Sequence, residues 1–219
     1  ASMDSRALAA WHVQIADIPP KRRGAKRPWD PSCPAQRRAR QSTANRALTI
    51  VKAALILAWR ETRLPKNCPD FWRAVQKFEL GDDPVPRMLS DDEKIRLLNA
   101  CDADLRNLVT AGLLTGARAG ELRKLTVNDY HRGATPTVRI LQTKTNKTLY
   151  QPLTSEGREF FDRLTAGRAG HEPILLSSEG RAWSAFSYQK PFNIARRAAG
   201  LEDVKFKHTR STYGKDLLL

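Results

Sequence analysis

The 219-residue sequence has only three cysteines, Cys33, Cys68 and Cys101. They lie far apart, with no C-x-x-C pair and no histidine at metal-ligand spacing, which argues against a disulfide framework or a zinc site. It also lacks a long apolar run. The longest stretch, Ala47 to Trp59, is interrupted by Lys52 and is well short of the roughly 20 residues a membrane-spanning helix needs. No basic-then-apolar signal segment opens the chain, so the expectation is a cytoplasmic protein. Negative charge is scarce: 23 Asp and Glu face 38 Lys and Arg, a formal net charge of +15. So much like charge on one chain costs self-repulsion unless a polyanion neutralises it, so nucleic acid is the first partner to consider. A membrane surface is not expected, because the basic residues do not alternate with a wide apolar face.

What is present suffices for a folded core: 41% of residues are hydrophobic and 28% charged, consistent with two modest domains. Residues 20–46 concentrate the positive charge, with Lys21, Arg22, Arg23, Lys26, Arg27, Arg37, Arg38, Arg40 and Arg46 against Asp30 alone and prolines at 20, 28, 31 and 34. This reads as an extended basic loop suited to phosphate backbones. From Ser42 or Thr43 as N-cap, the 3.6-residue spacing of Ala44, Ala47, Leu48, Val51, Leu55, Ala58 and Trp59 predicts a helix ended by Pro65. Phe71, Val75 and Phe78 predict a shorter one, and Trp59, Trp72 and Phe78 read as core residues. The breaker cluster Gly81 to Pro86 divides a domain at 1–83 from one at 84–219.

The second domain opens on a capping box, Ser90 to Glu93. A helix bearing Leu105, Leu108, Val109, Gly112 and Leu113 runs into Thr115-Gly116-Ala117-Arg118-Ala119-Gly120-Glu121-Leu122, where two glycines beside one arginine suggest a bend. Residues 137–141 and 149–153 predict a β-hairpin. A helix at 155–164, a short strand at 173–176, a helix from Pro191 to Gly200 and a last helix from His208 follow. The fold class is therefore mainly α with a small antiparallel β-sheet (α+β), the first domain being all-helical.

The chemically informative residues are cations: Arg118 at the bend, Lys144 at the hairpin tip, and Lys207 with Arg210 at the start of the last helix. Two arginines can each grip a phosphate in bidentate fashion, and a lysine on a hairpin can protonate a leaving oxygen. No Asp/Glu cluster suited to Mg²⁺ accompanies them. The combination points to phosphoryl transfer in which side-chain cations stabilise the transition state.

At these residues the sequence resembles the tyrosine recombinases, the phage and genomic-island integrases. Thr115 to Leu122, with Leu125 and Asp129, is similar to their first-arginine box. Gln142 to Lys147, up to Pro152-Leu153, is similar to their lysine-bearing hairpin. Phe206-Lys207-His208-Thr209-Arg210-Ser211-Thr212-Tyr213 resembles the second box, and Ser42 to Arg60 the main helix of a core-binding domain. The resemblance spans about residues 40–219. It implies site-specific DNA recombination through a 3′-phosphotyrosine, with double-stranded DNA as partner, a tetramer on DNA and no cofactor. Arg118 and Arg210 would hold the non-bridging oxygens, Lys144 would protonate the leaving 5′-oxygen, and Lys207 would assist the proton transfers.

The sequence departs from the family in two ways. Lys207 stands where the second box usually has His, and His208 competes with it for that role. The family's nucleophilic tyrosine lies tens of residues beyond the second arginine, so this chain reads as a piece truncated before it and clipped at its start. Tyr213 and Tyr150 are tempting substitutes, but Tyr213 reads as core packing and Tyr150 as a half-buried strand residue. Glu121, one turn beyond Arg118, reads as an orienting or capping group. The alternatives are a non-catalytic DNA-binding truncated integrase, a basic RNA-binding protein, and, least favoured, a type IB topoisomerase.

Overall fold

The computed structural model describes residues 4–22, 25–26, 28–65, 67–81, 86–142 and 146–217. The chain forms two compact units, 1–84 and 85–219.

The first unit pairs two helices, α1 (Ser5–Asp17) and α2 (Pro34–Arg60), over a small core of Leu8, Leu48, Trp72 and Val75. The Asp4 carboxylate caps α1 by accepting the Ala7 N–H at 2.7 Å, supplying one of the donors a helix start leaves open. The sequence reading did not anticipate α1, although Leu8, Trp11 and Ala16 fall at helical spacing. Between the helices, β1 (Lys21–Arg22) pairs antiparallel with β2 (Ala25–Lys26), so this unit is not all-helical.

The basic loop expected over 20–46 is shorter than that, because α2 begins at Pro34 rather than at Ser42. Proline fits a first helical turn, where its missing N–H is no loss, and arginine is a good helix former, so nothing in 34–42 opposes the helix. The helix expected from Asp70 shrinks to a 3₁₀ turn at Phe71–Arg73. Side chains of α2 instead take up the backbone that follows. Lys52 Nζ donates to the Val75 carbonyl at 2.6 Å, Arg38 Nε donates to Leu80 O at 2.7 Å, and Asn45 both donates to and accepts from Phe78 at 2.9 Å. Trp72 is buried as expected, whereas Trp59 is 48% exposed on the outer face of α2.

In the second unit α3 (Asp91–Asn99) carries the expected capping box. Then come α4 (Ala103–Thr115), α5 (Ala119–Leu122), β3 (Tyr130–His131), β4 (Thr137–Gln142), β5 (Lys147–Pro152), α6 (Ser155–Thr165), α7 (Gln189–Ala198) and α8 (His208–Asp216). The sheet is antiparallel in the order β3-β4-β5. The β4–β5 hairpin matches the sequence expectation, and β3 is an addition too short to show a period. Helix α4 runs through the core and packs on α8 at Gly112, where an added Cβ would come within 2.9 Å of Thr209 Oγ1.

Three expectations for this unit are corrected. Residues 173–176 form isolated bridges, Thr126 to Pro173 and Leu176 to Ala182, rather than a strand, their two ends pairing with different segments. Helix α7 begins two residues ahead of Pro191, at Gln189. Tyr150 is 56% exposed rather than half-buried, because it stands on the edge strand β5 with its ring meeting only His131 among the described aromatic rings.

Candidate active site

The site grows out of the end of α4. Gly116 stops that helix in the left-handed conformation, φ 63° and ψ 11°, which glycine adopts without a Cβ penalty. Two residues on, Arg118 starts α5. The buried Glu121 carboxylate accepts the Arg118 backbone N–H at 2.9 Å through one oxygen and the Arg118 guanidinium at 2.7 Å through the other. Glu121 therefore both caps the helix and orients the arginine, as its spacing suggested, and leaves the Arg118 side chain 49% exposed. Gly120 contributes nothing to the bend, since it sits inside α5 with open space around it.

Arg210, on α8, reaches back to the same turn and donates through Nη1 to the Gly116 carbonyl at 2.9 Å. Two arginines 92 positions apart in sequence thus have their guanidinium groups anchored within one six-residue stretch, Arg210 at Gly116 and Arg118 at Glu121. Beside them opens a cleft of about 170 Å³ whose walls include Gly116, Glu121, Gln142, Gln151, Arg210 and Tyr213. The hairpin contributes Gln142, the last residue of β4. Lys144 itself, with Thr143 and Thr145, lies outside the described residues.

Lys207 is exposed, one turn ahead of Arg210 on α8. His208 is buried on the opposite side. Its Nδ1 accepts the Lys205 N–H at 3.1 Å, and burial, then Lys207 and Lys205, lower its pKa below the usual histidine value. That side of α8 packs on the segment before α3: Thr212 Oγ1 accepts the Leu89 N–H at 2.9 Å, and Ser211 Oγ donates to the Arg87 carbonyl at 2.8 Å.

Tyr213 lines the cleft half-buried. Its ring rests where a Cβ on Gly116 would be, and its hydroxyl accepts from Gln151 Nε2 at 2.6 Å. Burial pushes the phenol up from its ordinary value. The pairing with Gln151 had no signal in sequence, because a strand residue and a helix residue 62 positions apart meet only through the fold.

A second cleft, about 200 Å³, lies on the other side of Glu121 against Lys124, Asp129 and Arg139. There Asp129 neutralises Arg139 at 2.7 Å. Among the described residues no group of three or more His, Cys, Asp or Glu side chains could hold a metal ion. Among them, too, no helix is long and apolar enough to cross a membrane.

The profile of the phage integrase family matches residues 86–218, and the chain belongs to that family. No curated protein matches the chain. Among solved structures, a lambda integrase dimer bound to a COC′ core site is 18% identical, with TM-score 0.69, covering 98% of this chain and 73% of that one. The Tn1549 transposon integrase in complex with circular intermediate DNA is 17% identical, with TM-score 0.65 and coverage of 99% and 73%. A lambda integrase tetramer bound to a Holliday junction is 18% identical, with TM-score 0.64; the chain covers 59% of that protein's length and 98% of its own. At this identity the likeness is one of fold, and it extends over both units.

Proposed function

We propose that this chain is the DNA-binding and phosphate-activating part of a site-specific DNA recombinase acting through a 3′-phosphotyrosine intermediate. The observation that carries the reading is the anchoring of Arg210 at Gly116 and of Arg118 at Glu121, both of which line one open cleft. Two guanidinium groups from distant parts of a chain serve one phosphate only if folding brings them together. Arg118 and Arg210 neutralise the non-bridging oxygens as the pentavalent transition state gathers charge, the largest contribution such a site makes. Lys144 protonates the leaving 5′-oxygen, and Lys207, on the Arg210 side of α8, assists the proton transfers.

The attacking tyrosine is not one of this chain's four. Tyr130 is buried with its hydroxyl 3.1 Å from Asp162. Tyr188 packs edge-on against Phe206. Tyr150 stands on the outer sheet edge, and the Tyr213 phenol has a raised pKa, the opposite of what an activated nucleophile needs. On this reading none of the four is the nucleophile of the proposed reaction.

The unit 1–84 is the core-binding domain and, with its basic stretch at 20–46, grips duplex DNA through phosphates. The unit 85–219 is the catalytic domain, and the assembly on DNA is a tetramer in the cytoplasm, on the nucleoid. Affinity for duplex DNA should fall steeply with salt, as counterion release requires. With a suicide DNA substrate, the 219-residue chain should give no covalent adduct, while the full-length protein should give one that Arg118→Ala and Arg210→Ala each reduce by at least 100-fold. The same tyrosine placement favours one rival, a DNA-binding protein that occupies attachment sites without cutting. A full-length protein that binds but never forms an adduct would establish that rival. An adduct mapped to Tyr213 or Tyr150 would refute the assignment of the nucleophile.

A further inference from the structure

The cleft holds one contact that the phosphate-binding reading leaves unused, the hydrogen bond from Gln151 Nε2 to Tyr213 Oη at 2.6 Å. Gln151 lies on β5 opposite Val138, on the sheet face that also carries Ile140 opposite Leu149 and Gln142 opposite Lys147. Val138 and Ile140 on this face are buried, and Gln142 and Leu149 line the cleft. This is the inward face of the hairpin whose chain runs on through residues 143–145.

Tyr213 sits on α8 one turn beyond Arg210, and its ring fills the space above Gly116, 2.4 Å from where a Cβ would stand. One side chain thus touches three elements: the turn leading to Arg118, the helix carrying Arg210 and the strand returning from the hairpin tip. The edge strand needs such a tie, because residues 147–150 of β5 are exposed and, among the described strands, β4 alone holds it by ladder bonds.

We propose that Gln151 and Tyr213 form a strut that fixes the β4–β5 hairpin relative to Arg210, making both positioning residues for proton delivery to the leaving group. The proposal rests on the recombinase reading above. In the step concerned, the nucleophilic tyrosine gives up its phenol proton to solvent, its oxygen bonds to phosphorus as the P–O5′ bond breaks, and the lysine proton passes to the departing 5′-oxygen. A hairpin that drifts by an ångström delivers that proton poorly while the arginines still hold the phosphate.

Two measurements test the strut. The first needs no activity: amide hydrogen exchange of β5 in the 219-residue chain, comparing wild type with Tyr213→Phe and, from the strand side, Gln151→Leu. Each variant loses one hydrogen bond but keeps the ring on Gly116 or the strand backbone. Exchange at 147–151 should quicken roughly three- to tenfold, by similar factors in both, with the double variant no worse than either. Unchanged exchange in both variants overturns the strut.

The second measurement is the single-turnover cleavage rate of the full-length protein on ordinary DNA and on DNA with sulfur at the 5′-bridging position, which leaves as a thiolate without needing the proton. Both variants should cut ordinary DNA about three- to tenfold more slowly, with unchanged DNA affinity, and cut the sulfur substrate at the wild-type rate. Equal loss on both substrates means the pair supports the fold or the arginines and overturns the positioning role. A wild-type protein that cleaves neither substrate would count against the recombinase reading, and the exchange result would still decide the strut.

Discussion

Gly116→Ala is the sharpest test of the site's architecture, because two independent costs meet at one atom. The residue is left-handed, with φ 63°, and placing alanine there costs about 1–2 kcal/mol. The new Cβ would also lie 2.4 Å from Cδ1 and 3.1 Å from Cε1 and Cγ of Tyr213. That ring cannot swing aside freely, since its hydroxyl is held by Gln151, so the overlap adds about 1–3 kcal/mol. The sum, about 2–5 kcal/mol, should lower the melting temperature of the second unit by roughly 6–20 °C.

Gly120→Ala, four residues along, is the control. It lies inside α5 with nothing within 4 Å of its missing Cβ, so alanine there should be neutral or stabilise by up to about 1 kcal/mol. Calorimetric unfolding should therefore show a clear loss for Gly116→Ala and none for Gly120→Ala. In a Tyr213→Ala background, Gly116→Ala should retain only its conformational cost, about 1–2 kcal/mol, the difference being the steric part. If Gly116→Ala costs under about 1 kcal/mol, or Gly120→Ala costs as much, the derivation fails.

Three further outcomes follow from buried or paired charges. Glu121→Ala should destabilise the second unit by about 1–3 kcal/mol in urea unfolding, because it strips the acceptor from the Arg118 amide and guanidinium. The hydrogen bond from Arg87, then that from the Ser90 N–H, holds the Glu93 carboxyl at about 2 against an ordinary 4.5. Stability from that carboxylate is present above about pH 4.5 and lost as pH falls toward 2, so Glu93→Gln should flatten the acid limb of a stability–pH curve in that window. His12 is buried against Asn45, and its pKa is lowered, first by burial, from 6.5. A base depressed by folding stabilises fully only above about pH 6.5 and loses that contribution as pH falls, so the first unit should soften in mild acid and His12→Gln should remove the slope between pH 8 and 5.

How far sequence reached depends on how local each signal is. The capping box at Ser90, the hairpin at 137–152 and the stop of α4 at Gly116 are all written within a few residues, and the structure has them where the pattern put them. Errors arose where charge was taken for conformation. The arginines of 34–46 read as loop because they are basic, yet arginine favours helix as well as phosphate, and α2 runs through them. At Phe71 to Phe78 the spacing is helical, but Asn45 and Lys52 take up backbone groups of Phe78 and Val75. Glu121's dual role was legible from its distance to Arg118. The tie between Gln151 and Tyr213 was not, because no short-range pattern relates a strand residue to a helix residue so far along the chain.

The same logic separates Lys207 from His208, which adjacent positions in a sequence cannot do. On a helix of 3.6 residues per turn, 208 and 212 share one face, while 207, 210 and 214 share another. His208 and Thr212 are buried, with Thr212 and Ser211 tied to the backbone of Leu89 and Arg87. Arg210, Tyr213, Gly214 and Leu217 line the cleft instead. Lys207 is exposed at the start of the Arg210 face, where the proposed function has it meet a bound phosphate, whereas His208 has its Nδ1 committed to the Lys205 amide. Lys207→Ala should therefore lower the cleavage rate of the full-length protein on ordinary DNA while leaving its melting temperature within about 2 °C. His208→Ala should do the reverse, lowering stability by about 1–2 kcal/mol with little change in the rate of the protein that remains folded. If the two substitutions exchange these effects, the division of α8 into a packing face and a phosphate face is wrong.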